Sequence, residues 1–452
     1  MIDHGALAAA LAEYLPHQRW FAGGEAEARD LTVTSVRVLR DGSWPALLQV
    51  VVEARTSASG LDAGEVPMTA SYQVVLGLRP AGSREAFLEG KPEAIVTELD
   101  TELGPALAYD AAIDPELSIA VLHHMAPDEE VERARYLGAD QSNTSVVFDE
   151  RLIMKLFRRL SDGPNPDAEV TRALVDVGFA NVAEPVAEWR EDDRDFALVN
   201  RFLVGGTDGF VLALLSLRDL YDRRCPPGEA GGDFAFDARR LGAVTAEMHL
   251  ALAEAFGHFP GAPDVWAADM EAHLGRVRLD GIDREQVRAI YRRLAEIPNA
   301  GPAVRVHGDY HLGQVMRTDA GWYVLDFEGE PDRPLEERRR PTSPLRDVAG
   351  LVRSFHYAPQ VALGEWGTEV DDELLALGEA WEHRNRVAFL AGYLGTEGVG
   401  EILPGDDADR RLVQAAFELD KAVYEVGYEQ SHRPDWVHIP LRAVQRILET
   451  TP

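Results

Sequence analysis

Three oxygen-bearing side chains within RVHGDYHLGQVMRTDAGWYVLDFEGEP, residues 305 to 331, are spaced as one chemical unit. Asp309 and Gln314 lie five positions apart on a polar stretch, and the apolar run Trp322-Tyr323-Val324-Leu325 delivers Asp326 at its end. A carboxylate at 309 can take a proton from a hydroxyl, while an amide oxygen at 314 and a carboxylate at 326 can hold Mg²⁺ on phosphate oxygens. Such a set suits phosphoryl transfer, which asks for positioning and charge neutralisation more than covalent help. Asp and Gly are common in turns, so His307-Gly308-Asp309 alone reads equally well as a polar turn between strands. Gln314 and a strand-borne Asp326 behind it favour the chemical reading.

Elements upstream must then hold the phosphate donor. Gln141-Ser142-Asn143-Thr144-Ser145 precedes the strand Val146-Val147-Phe148, an Asp149-Glu150 turn and a second strand, Leu152-Ile153-Met154-Lys155-Leu156-Phe157. Backbone amides and hydroxyls of a loop at 141–145 can bond ATP phosphates, and Lys155 is placed like the strand lysine that grips the α and β phosphates in protein kinases. Asn165-Pro166-Asp167-Ala168-Glu169-Val170 has the marks of a helix start, with Pro at the first position and an acidic first turn. Glu169 is the expected partner of Lys155. Downstream, the apolar strand Phe196 to Leu203 runs into Gly205-Gly206-Thr207. In a kinase-like arrangement, backbone groups from Asn200 to Phe202 would read the adenine edge; the same stretch is also simply a buried strand and a loop. The glycines of GxGxxG are missing from the 141–145 loop and no GxxxxGK[ST] occurs, which excludes a P-loop and a protein-kinase glycine loop.

Three regions follow along the chain. Residues 1–100 carry a short helix and strand-like runs at 31–39, 46–52 and 72–78, and residues 101–204 carry the phosphate loop, the lysine strand and the strand before Gly205. Residues 205–452, apart from the hairpin, are mostly helical, with apolar residues at three- and four-residue spacings over 241–256, 285–294, 347–355, 372–393 and 408–428.

The 452 residues, 46% of them apolar, can build two or three cores, and no apolar stretch is long enough to span a membrane. Forty-five basic residues against 77 acidic ones give a net charge of −32, which repels nucleic acid and anionic membrane. ATP must therefore be drawn in locally. The one local exception is Glu336-Glu337-Arg338-Arg339-Arg340, readable as a charged turn or as a phosphate-facing patch. A single cysteine, Cys225, excludes a disulfide framework, and the acidic amphipathic N-terminus lacks a secretory leader's pattern, so a cytoplasmic location is expected.

Several segments together resemble the maltokinase family of aminoglycoside-phosphotransferase-like kinases. They are Gln18 to Gly23 (QRWFAG), Asp140 to Ser145, Lys155 to Leu160 (KLFRRL), Phe202 to Gly209 (FLVGGTDG), His307 to Gln314, Asp326 to Pro331 (DFEGEP), Ser343 to Gly350 (SPLRDVAG) and Arg433 to Trp436. The resemblance spans nearly the whole chain, and QRWF, DFEGEP and SPLRDVAG are its most specific pieces. It implies an α+β, bilobal protein-kinase-like fold with an N-terminal β-rich cap and a mostly helical C-terminal lobe. It also implies ATP- and Mg²⁺-dependent phosphorylation of maltose to maltose 1-phosphate, feeding α-glucan and glycogen synthesis. Some relatives are fused to trehalose synthase, a candidate partner for a chain too short to include it. A disaccharide site needs carboxylates, arginines and aromatic platforms. His311 beside the base is one expected contact, and the helical region offers Asp347, Arg353, His356, Tyr357, Trp381, Glu382, Tyr424, Tyr428 and Arg433. Two other readings stay open: a kinase of another hexose or an amino sugar such as glucosamine, and a catalytically silent binding protein on the same fold.

Overall fold

The computed structural model describes residues 3–21, 28, 30–55, 69–139, 143–330, 333–365 and 370–451. Two compact units divide the chain, residues 1–169 with 183–204 and residues 170–182 with 205–452.

In the first unit, helix α1 (His4–Tyr14) precedes a sheet of strands β1 (Leu31–Arg40), β2 (Ala46–Arg55), β3 (Thr69–Pro80), β4 (Ile95–Thr101) and β5 (Gly104–Asp110) in the order β1-β2-β3-β5-β4. Strands β2 and β3 are apolar almost throughout because both faces are covered. Leu48, Val50 and Val52 pack with Leu7, Leu11 and Trp20 on one side, while Leu47 and Val51 pack with Val146, Met154 and Leu156 on the other. After α2 (Pro115–Met125), a second antiparallel sheet runs β10-β11-β8-β7-β6, built from β6 (Ala134–Ala139), β7 (Asn143–Phe148), β8 (Leu152–Phe157), β10 (Pro185–Glu191) and β11 (Arg194–Arg201). Lys155 stands on β8. The short β9 (Arg159–Leu160) continues the same chain onto Ser71 and Tyr72 of β3, tying the lysine strand to the first sheet.

Arg158, between β8 and β9, is fully buried. Its Nη2 donates to Asp110 Oδ2 at 2.6 Å, its Nε donates to Thr144 Oγ1 at 2.8 Å, and its guanidinium lies 5.1 Å from the Trp20 ring. The QRWF and KLFRRL segments are therefore one packing unit. Replacing Arg158 with Ala strands a buried carboxylate and is expected to destabilise the protein by about 3–5 kcal/mol, read as a lower denaturation midpoint.

The second unit begins with residues 170–182 of α3 (Pro166–Asp176) and the loop behind it, then β12 (Thr207–Asp208) and the helices α4 (Gly209–Arg223), α5 (Ala235–Phe256), α6 (Pro263–Arg276) and α7 (Arg284–Ala295). A hairpin of β13 (Val315–Thr318) and β14 (Gly321–Val324) follows, with β12 paired to β13. The chain ends in α8 (Leu335–Arg339), α9 (Leu345–Glu365), α10 (Asp372–Leu394), α11 (Asp407–His432) and α12 (His438–Thr450). The five helical repeats read from sequence fall in α5, α7, α9, α10 and α11. One apolar core joins them, from Leu217 and Leu241 through Phe355 and Trp381 to Val426. Among the described residues no helix is long and apolar enough to cross a membrane.

Candidate active site

The hairpin register brings Gln314 and Asp326 together. Val315 pairs with Val324, and the Leu325 amide donates to Gln314 O at 2.9 Å, so the residues on either side emerge side by side. Gln314 Nε2 lies 3.1 Å from Asp326 Oδ2. Asp326 itself has φ of +63°, a left-handed conformation that a non-glycine residue adopts at a cost of about 1 kcal/mol or more. Carboxylate oxygens of Asp326 and Glu328 come within 4.8 Å of each other.

Helix α9 clamps the loop that carries Asp309. Asp347 in its first turn accepts from the backbone amides of His307 at 2.7 Å and Gly308 at 2.9 Å, and its Oδ2 meets His249 Nε2 at 3.0 Å. Burial opposes ionisation of this carboxyl, but the hydrogen bond and charge of His249 outweigh it and keep the group below its ordinary range. One turn later a Cβ on Gly350 would stand 2.5 Å from Tyr310 O, so only glycine lets the helix and loop approach this closely. His307 Nε2 lies 2.8 Å from Leu325 O, tying the loop to the hairpin. The SPLRDVAG segment is thus a brace for the loop. Asp347 was expected among the sugar contacts; with 1% exposure and both oxygens engaged, it serves the backbone instead.

Asp309 sits in a charge cluster that the sequence reading missed. Lys421 of α11 places its Nζ 3.1 Å from Asp309 Oδ1 and 2.7 Å from Glu330 Oε1. Glu330 is also bonded by Arg333 and, at 3.2 Å, by Arg346, which donates in turn to Gly308 O at 3.3 Å. Burial disfavours the Glu330 charge, yet Lys421, Arg333 and Arg346 hold the carboxyl far below its usual range. Burial likewise works against the Lys421 charge, and Glu330 and Asp309 overcome it, so the ammonium stays protonated well beyond the normal lysine range. Glu330 and Arg346 lie inside the DFEGEP and SPLRDVAG segments, but Lys421 is 112 residues from Asp309 and sits in an ordinary amphipathic repeat, so no local signal marks it.

His311 Nδ1 accepts from the Gly313 amide at 3.0 Å, leaving Nε2 to carry the proton 4.0 Å from Asp309 Oδ2. Burial depresses its pKa, with the Asp309 charge offsetting only part of the effect, so the ring is neutral near pH 7. Tyr424 lies beneath Lys421, its ring centre 4.8 Å from Nζ. Further along α9 and α11, Arg353 donates to Glu425 at 3.1 and 2.5 Å, Tyr357 donates to Glu429 at 2.9 Å, and Tyr428 stacks on His432. Arg353 is 2% exposed and spent on Glu425, which corrects its expected role as a sugar contact. Trp381 is a second correction of this kind: it is buried in the core, stacked on Phe234, with its indole N–H on Ser216 Oγ at 2.9 Å.

In the first unit, Lys155 Nζ lies 2.9 Å from Asp167 Oδ2, in the same acidic first turn as Glu169. The Asp167 amide donates to Asn165 Oδ1 at 2.8 Å, fixing that turn. Of the expected phosphate loop, Gln141 and Ser142 lie outside the described residues. Asn143, Thr144 and Ser145 are part of strand β7, not a loop, paired with Phe157, Leu156 and Lys155. Thr144 is buried against Arg158. In the segment expected to read adenine, the Arg201 amide donates to Glu184 O and the Phe202 amide to Arg151 O, both at 2.8 Å, so these two donors are engaged within the protein. Asn200 pairs with Ile153 and Pro185, and its side-chain oxygen is buried with no hydrogen-bond partner among the described residues.

A β-rich unit bearing a lysine strand, followed by a helical unit with this acidic hairpin, defines a phosphotransferase of protein-kinase-like fold. The chain belongs to the phosphotransferase enzyme family, whose family model matches residues 133–390. The model of the maltokinase N-terminal cap domain matches residues 14–114. Similar proteins include the glucosamine kinase of Streptacidiphilus jiangxiensis, 31% identical over 68% of this chain and 71% of that protein. Another, the glucosamine kinase of Mycolicibacterium smegmatis (strain ATCC 700084 / mc(2)155), is 29% identical over 70% of this chain and 79% of that protein. A glucosamine kinase solved in complex with glucosamine, ADP and inorganic phosphate shares the fold, with a TM-score of 0.64 at 21% identity over 99% of this chain and 100% of that one.

Proposed function

We propose that this protein is a sugar kinase that transfers the γ-phosphoryl group of ATP to the anomeric hydroxyl of maltose. The observation that carries the kinase reading is the juxtaposition of Asp309, Gln314 and Asp326 on one hairpin and its loop. The cap-domain match over residues 14–114 supports maltose as the acceptor.

In this mechanism Asp309 orients the acceptor hydroxyl and takes its proton through Oδ2, since Oδ1 is held by Lys421. The neutral His311, with Nε2–H turned toward Oδ2, donates to a second sugar oxygen. The donors at the hairpin fit a hard cation, because Asp326, Glu328 and the Gln314 amide offer oxygens; the amide need only turn its oxygen, in place of Nε2, toward the site. Bound there, Mg²⁺ would neutralise charge on the ATP phosphates. Lys155, oriented by Asp167, would grip those phosphates in the first unit. Tyr424, Tyr357 and Tyr428 are retained as candidate contacts to the sugar.

The glucosamine kinases among the similar proteins favour a second reading, phosphorylation of an amino sugar. Incubation of the protein with ATP and Mg²⁺ against maltose, glucose and glucosamine, followed by mass analysis and phosphorus NMR of the products, separates the two. Maltose 1-phosphate as the main product is the expected result. Glucosamine phosphate as the main product would transfer the assignment to the second reading.

A further inference from the structure

Lys421 is tied to Asp309 and Glu330 by two of its three ammonium hydrogens, and the third has no hydrogen-bond partner among the described residues. Lys421 Nζ, which also lies 4.8 Å from the centre of the Tyr424 ring, is 3.1 Å from the Asp309 carboxylate to which the acceptor hydroxyl comes in the proposed mechanism. The carboxylates nearest Lys421 are already paired. Asp309, Glu330 and Asp420 are already matched by Lys421, Arg333 and Arg346, with Arg333 reaching Asp420 at 3.9 Å, and Asp347 is occupied by backbone amides and His249.

We propose that Lys421 selects the acceptor, admitting a sugar with a hydroxyl, and disfavouring one with an ammonium, on the carbon next to the phosphorylated hydroxyl. The inference rests on the sugar-kinase reading above. A hydroxyl can accept from Lys421 while its neighbour donates to Asp309, whereas an ammonium has hydrogens only and no lone pair to offer. Two unit charges about 4 Å apart also repel, by between about fivefold and several hundredfold in binding, depending on how much water screens them. In maltose the group next to the anomeric hydroxyl is the 2-hydroxyl. In a 2-amino-2-deoxy sugar it is an ammonium at neutral pH.

The test compares kcat/KM for maltose, its reducing-ring 2-deoxy and 2-amino-2-deoxy analogues, and glucosamine, at pH 6.5 and 8.5, in the wild-type protein, Lys421→Met and Lys421→Arg. Wild type is expected to prefer maltose over the amino analogue by at least about tenfold at pH 6.5. The gap should narrow at pH 8.5, where an amine titrating near pH 8 loses its charge and regains a lone pair. The 2-deoxy analogue, which has neither charge nor lone pair, should fall between. In Lys421→Met the three maltose-based acceptors should converge and the pH dependence of their ratio disappear, while Lys421→Arg retains the preference. A Lys421→Met protein that loses activity equally on all acceptors, with ratios unchanged, would show that Lys421 only orients Asp309, and overturns the proposal. If that variant does not fold, the wild-type pH profiles decide: equal use of maltose and its amino analogue at pH 6.5, or a preference for glucosamine, overturns it while leaving the kinase reading intact. Absence of phosphorylation with every sugar removes the kinase reading and the proposal together.

Discussion

Replacement of Asp309 with Asn is expected to lower kcat by about 10² to 10⁴, the usual loss when a general base is removed. The substitution keeps the side chain's size and leaves an oxygen to accept from Lys421, so the ammonium retains its bond to Glu330 and the loop retains its anchors on Asp347. Nucleotide affinity should not change, because Asp309 faces the acceptor and not the phosphate donor in the proposed mechanism. Steady-state kinetics with maltose, nucleotide titration and a thermal melt on the same preparation check the three parts separately. Near-normal turnover in a folded Asp309→Asn protein would remove Asp309 from the base position.

The second large effect is expected at Asp326. Its change to Ala removes an anionic oxygen where a divalent cation would meet phosphate, and the several kcal/mol of charge stabilisation involved correspond to roughly 10³ or more in rate. Excess sugar should not restore turnover. Gln314→Ala should be milder, since a neutral amide contributes less to holding Mg²⁺ than a carboxylate, and raising Mg²⁺ should recover part of its activity. Titrating Mg²⁺ against turnover in both variants gives the comparison. A dead Gln314→Ala beside an active Asp326→Ala would reverse the proposed ranking of the two ligands. Because Asp326 also holds a left-handed backbone, Asp326→Asn is the better control for geometry: Asn tolerates that conformation, keeps an oxygen and removes only the charge.

Much of the fold was legible because it is written locally. The alternating and doubly apolar strands of the first sheet, the proline and acids that open α3, and the three- and four-residue apolar spacing of α5, α9, α10 and α11 are short-range patterns. Gln314 and Asp326 were legible for the same reason, since a hairpin of adjacent strands sets their register. The expected phosphate loop was misread at Asn143 to Ser145 because polar, turn-prone residues can also pair in a strand when the partner strand, here β8, supplies the register.

What the residue order determines alone, then, is the kind of chemistry the hairpin can do and the elements that carry it, because spacing along a strand or helix fixes which groups share a face. Which distant groups touch that hairpin was decided only by the tertiary packing. Asp347, Arg353 and Trp381 all have the residue types of a sugar site, and burial against, respectively, the loop that carries Asp309, the Glu425 carboxylate and the Ser216 hydroxyl turns them into supports. Lys421, with no motif around it, is carried to Asp309 by α11 across 112 residues, and Arg158 finds Asp110 across 48. Contacts of this range depend on how whole helices and sheets pack, and no local pattern of residues encodes them.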